Sequence, residues 1–268
     1  MPDSNAINIQ SVKQASYLRY LACLTSVPTQ ARHHLFGLLA LHHELAKIRY
    51  VTTEEVSAHI RFRWWLEAME EIYTKARYRP HPVTDAIKNI SQATSLTHQH
   101  FIEFIESHQH DYHADMPHTM DDLITLTSPT VQLHQLIERV LRPDHNNTTI
   151  ITQVAKAWSL TMSVVHLPQL LDKQHVLLPY DLLKEHHITV GQLIKGEKHD
   201  QLPDVVKPII DYSQMLLKDT EGLSPFMHKL KHIVGYTNKR ITKKSYDVCT
   251  KPVDVRGFRF VWMVITSN

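Results

Sequence analysis

The chain has 268 residues, 43% of them apolar, which suits one large domain with a substantial core. Its 29 Lys and Arg offset 27 Asp and Glu, and a net charge of +2 excludes broad electrostatic capture of nucleic acid. Cys23 and Cys249 give neither a disulfide framework nor zinc-ligand spacing, whereas 21 histidines are the compositional outlier and would raise the charge on mild acidification.

Residues 12–23 read as a short helix with Tyr17, Leu18, Leu21 and Ala22 inward, broken by Thr25-Ser26-Val27-Pro28. Residues 31–72 then read as two long helices. In the first, Leu35, Leu38, Leu41, Leu45 and Ile48 recur at three- and four-residue steps and form one apolar stripe. It should end near Tyr50. Thr52 and Glu55 have the spacing of a capping box for the second helix. Behind them Val56, Ile60, Trp64, Ala68 and Ile72 make a stripe, widened by Trp65, Met69 and Tyr73.

Residues 78–83 hold two prolines and must leave the helix; a short helix over 84–94 follows. The next helix starts with Phe101, Ile102, Phe104 and Ile105. Its far end carries His110, Asp111, His113 and Asp115; His110 with His113, and Asp111 with Asp115, are each spaced to share a face, a set that a transition metal could use. Residues 120–141 read as one helix kinked at Ser128-Pro129, and 142–147 as a loop. A helix over 149–171 leads to a turn at 174–179. Thr189 is placed to cap a short turn through Leu193, and residues 202–217 are amphipathic. One more helix is expected from Phe226. Lys239, Arg240, Lys243 and Lys244 form a basic patch that suits a lipid headgroup or a partner, and residues 246–266 alternate β-branched and polar side chains like a strand or a loosely attached tail.

Several segments, in order, resemble the squalene/phytoene synthase family: Arg19-Tyr20-Leu21-Ala22-Cys23-Leu24, residues 39–49, Arg61-Phe62-Arg63-Trp64-Trp65, His81-Pro82-Val83 and Leu177-Leu178-Pro179. The resemblance implies an all-α isoprenoid synthase fold, a helical bundle around a central cavity, over residues 1–225, with a C-terminal helix and basic tail over 226–268. It also implies two aspartate motifs that hold magnesium and, through it, a prenyl diphosphate. At the first motif this chain has Glu44, Ala46 and Lys47. At the second, Leu160, Thr161, Leu178 and Pro179 set the register, and Met162, His166 and Leu170 fall where Asn and the two aspartates belong. An alkyl chain cannot ligate magnesium, and a lone imidazole suits it poorly.

The branch of the family closest in pattern is that of the respiratory complex I assembly factors, which carries Glu-Leu-Ala at the first motif, as Glu44-Leu45-Ala46 does here. What this implies is a non-catalytic assembly or binding factor for complex I subunits or assembly intermediates, without cofactor or bound metal. A cavity for an isoprenoid or quinone-like lipid would remain, with His43, Arg61, Trp65 and Thr161 as candidate contacts. The competing expectation is an active prenyl transferase using magnesium, and a third is a histidine-based metal protein. No apolar run approaches the ~20 residues of a membrane span. The first residues lack the parts of a secretory signal, so a bacterial cytoplasm or mitochondrial matrix is expected, with peripheral contact at the inner membrane.

Overall fold

The computed structural model describes residues 3–52, 54–75, 77–113, 116–144 and 147–266. Within them the regular structure is helical. The first half runs α1 (Ser4–Ala15), α2 (Tyr17–Ser26), α3 (Thr29–Val51), α4 (Glu55–Thr74), α5 (Pro82–Ala93), α6 (His98–His113), α7 (Met120–Thr125) and α8 (Ser128–Leu141). The second runs α9 (Thr148–Val165), α10 (Leu167–Asp172), α11 (Tyr180–Glu185), α12 (Val190–Ile194), α13 (Leu202–Leu216), α14 (Pro225–Lys243) and α15 (Phe258–Thr266). No helix among the described residues is long and apolar enough to cross a membrane.

Two long helices carry the packing. Helix α3 buries the expected stripe of Leu35, Leu38, Leu41, Leu45 and Ile48, and packs against α1, α5 and α8. Gly37 permits a close approach to α5: a Cβ there would stand 2.8 Å from the Ala86 Cβ. Helix α9 buries Val154, Ala157, Trp158, Leu160 and Val164 and packs against α8, α13 and α14. A buried polar knot ties three of these helices. The Thr161 hydroxyl of α9 lies 2.8 Å from the Ser213 hydroxyl of α13 and donates to Asn238 Oδ1 of α14 at 2.8 Å, while Asn238 Nδ2 donates to Ser213 at 3.0 Å.

Some local expectations hold and some shift by a residue or two. The helix expected from residue 84 starts at Pro82, where the missing N–H is not needed, with His81 Nδ1 accepting from the Val83 N–H at 3.2 Å. Thr189 and Gln192 form a capping box on α12.

Others are corrected. Residues 12–23 are not one helix: the backbone breaks at Ser16, whose ψ of 73° ends α1 and lets α2 leave in a new direction. Residues 120–141 are two helices rather than one kinked helix, because Pro129 starts α8 afresh. Residues 149–171 likewise divide at His166, with Pro168 in the first turn of α10. The capping box on α4 does not form. Thr52 instead donates back to the Ile48 carbonyl at 2.7 Å, and Glu54 starts the helix. The core face of α4 is Ala58, Phe62, Trp65, Met69 and Ile72, which leaves Val56 68% and Ile60 64% exposed. Within the expected strand-like tail, Phe258–Thr266 form a helix: Phe260 and Val264 of α15 are buried, and Lys229 of α14 donates to the Val264 carbonyl at 2.9 Å.

Candidate functional site

The α1–α2 break places the start of α2 across the gap between α3 and α9, and a cavity of about 360 Å³ lies there. One wall is α3, with Leu39, His42, His43 and Ala46. The facing wall is α9, with Trp158, Ser159, Met162 and the terminal His166. Arg19 projects from α2, and Arg256, just before α15, stands at the mouth, where it donates to the Gln14 carbonyl at 3.4 Å.

Arg19 is the buried charge of this cavity. Its side chain is 5% exposed and its guanidinium stacks 5.1 Å from the Trp158 ring. Burial pulls it down to about 9, and burial raises the neighbouring Cys23 thiol, which therefore stays uncharged. In the α3 wall His42 Nδ1 meets His108 Nε2 at 3.1 Å. Burial pushes both rings below the ordinary imidazole range, His108 to about 3.

No Asp or Glu lines this cavity among the described residues. The residues expected from the sequence divide between two places. His43, Ala46, Met162 and His166 face the cavity. Glu44, Lys47, Arg61 and Trp65 line a separate groove of about 300 Å³ between α3 and α4, with Trp64 and His81. There Glu44 and Lys47 pair at 3.6 Å, half-exposed. Leu170 is half-buried on α10 and lines neither space, and Thr161, spent on Ser213 and Asn238, does not either.

The sequence reading passed over Arg19 and His42. A signal for Arg19 existed: it falls in step with Ala22 and Cys23, at i, i+3 and i+4, on the apolar face of α2.

The metal set expected on α6 is rearranged. Asp111 turns to Arg49 at 3.5 Å; burial raises its carboxyl and Arg49 opposes the rise. Asp115 lies outside the described residues. His113 meets Glu55 and His59 of α4 instead, each imidazole 3.6 Å from the Glu55 carboxylate, and all three side chains are exposed.

Magnesium holds to hard oxygen donors, typically one or two carboxylates. The cavity between α3 and α9 offers imidazole, guanidinium, hydroxyl and thioether groups. These do not fit that ion.

A bundle of helices around one cavity between two long, mutually facing helices is the architecture of the isoprenoid synthases, and the family assignment agrees. Residues 12–256 match the squalene/phytoene synthase family, and the chain belongs to it. The fold is shared with a dehydrosqualene synthase crystallised with ligand (TM-score 0.78, 12% identity, covering 98% of this chain and 94% of that one). It is shared too with squalene synthase HpnC from Alicyclobacillus acidocaldarius (TM-score 0.71, 13% identity, 93% and 95%). Among curated proteins the chain is similar to NADH dehydrogenase (ubiquinone) complex I, assembly factor 6. The identity is 20% with the Rattus norvegicus protein over 81% of this chain, and 20% with the Homo sapiens protein over 78%. The chain spans 66% of the rat relative's length and 63% of the human one's.

Proposed function

We propose that this chain is a non-catalytic member of its family that acts as an assembly or binding factor for respiratory complex I, and that its cavity holds an isoprenoid or quinone-like lipid. The observation that carries the reading is that no carboxylate among the described residues lines the cavity: where two facing walls would hold magnesium and diphosphate, Ala46 stands on one and Met162 and His166 on the other. Ionising an allylic diphosphate requires that the charge growing on the leaving group be neutralised, and paired carboxylates with magnesium are the means at issue. The distant similarity to assembly factor 6 over most of the chain supports the partner. Residues 1–225 are the family domain in this reading and 226–268 an added C-terminal part. A peripheral membrane contact belongs to it as well: Phe258, Trp262 and Ile265 are exposed at four- and three-residue steps along α15, beside the exposed Arg259.

Incubation with farnesyl or geranylgeranyl diphosphate and magnesium should release no diphosphate and form no condensed product. Retrieval of the chain from native respiratory membranes should bring complex I subunits with it. Magnesium-dependent product formation would establish the prenyl transferase instead.

A further inference from the structure

A guanidinium carries five N–H donors and stays charged in a protein interior. Arg19 nevertheless makes no hydrogen bond or ion pair among the described residues, and its Nε is shut away from water without an acceptor. An unpaired buried charge is costly, and native folds pair such groups or place them against a ligand.

Apart from the face of the Trp158 ring, no group among the described residues balances it. Cys23 is held as the thiol. His42 and His134 are held neutral by burial, and Arg19 lowers both further. Glu138, the one fully buried carboxylate among the described residues, is taken by Arg142 at 2.8 Å and by Ser224. At the mouth of the same cavity Arg256 adds a second cation. Leu18, Leu39, Ala46, Trp158 and Met162 supply apolar surface beside these cations.

We infer that the cavity takes an amphiphile with an oxyanion head, seated directly on Arg19 without a divalent cation, its apolar chain lying between α3 and α9. The planar fork of a guanidinium matches two oxygens of a phosphate, phosphonate or carboxylate, and a desolvated site strengthens that contact. The inference rests on the reading of the cavity as a lipid site. It replaces a cation bridged between protein carboxylates and anion by a cation that the chain itself supplies.

The test is calorimetric titration of the full chain in EDTA with decylphosphonate, inorganic phosphate and decanol. Decylphosphonate should bind, more tightly than either of the others, and added magnesium should leave its affinity unchanged. Arg19→Met should weaken it by about tenfold or more, the loss expected of a charge-assisted hydrogen bond. Arg19→Lys, which keeps the charge but not the fork, should fall between. Arg19→Met should fold, since it removes an unpaired buried charge at similar length; its thermal midpoint without ligand should equal or exceed that of the parent. Should it misfold, the Arg19→Lys titration carries the comparison. Affinity that requires magnesium, equal affinity for inorganic phosphate, or binding unchanged in both variants would overturn the inference. A phosphonate has no leaving group to ionise, so the outcome is independent of whether the chain turns over prenyl diphosphates.

Discussion

The His108 ring is shut away from water against Phe104 and His42, and its folded value of about 3 lies far below the ordinary 6.5. In the unfolded chain the same imidazole takes its proton near 6.5. As the pH falls from there toward about 3, the unfolded state binds a proton that the folded state refuses, and stability must drop. His42, pushed down by burial and by His108, adds to the same slope. His108→Gln keeps a hydrogen-bonding side chain opposite His42 and removes one titrating group. Its urea-unfolding free energy should therefore decline less than the parent's between about pH 7 and about pH 5, by up to ~1.4 kcal/mol per pH unit. A histidine count of 21 announces acid sensitivity in general. It does not say which rings are buried, because that depends on which face of α3 meets α6.

Elements were legible where one apolar stripe dominated. Helix α3 is such a case, since Leu35 through Ile48 leave a single face to bury. Helix α4 carries two overlapping stripes, and spacing alone does not choose between them. Phe62, Trp65 and Met69 won because α5 and α6 pack on that side, and Val56 and Ile60 stayed in solvent. The tail misled for a related reason: β-branched Val261, Val264 and Ile265 look strand-like locally, but a contact with α2 rewards a helical face of Phe260 and Val264. Two predictions belong here. Gly37→Val would drive side-chain atoms into Ala86 of α5, and overpacking of that kind should cost about 1–3 kcal/mol in chemical denaturation. The outward face of α15, with Phe258 83% exposed, should insert into anionic vesicles. Sedimentation with such vesicles should drop clearly in Phe258→Ser/Trp262→Ser, while far-ultraviolet circular dichroism stays unchanged because both side chains point away from the core.

For the whole molecule, Ala46 and His166, taken from the two expected motifs and far apart in sequence, line one space. What could not be read was how the other half of those motifs turns away, Lys47 toward the α4 groove and Leu170 onto α10, because one helical step, or one break at His166, sends a residue to a different neighbour. Integration across the bundle was equally hidden. Thr161 reads as a cavity contact, yet its hydroxyl joins α9 to α13 and α14, so the C-terminal helices are fastened to the central ones through Ser213 and Asn238. Thr161→Val replaces the hydroxyl with a methyl of similar size and takes the donor from the buried Asn238 Oδ1, while the Ser213 hydroxyl keeps the Ala157 carbonyl and Asn238 Nδ2. That should cost about 1–3 kcal/mol. Because the knot spans both halves of the core, the loss should lower one shared midpoint, with tryptophan fluorescence and helical circular dichroism still coinciding, rather than release residues 226–268 in a separate earlier step. Two transitions in the variant, or in the parent, would mean that α14 and α15 fold as an independent unit.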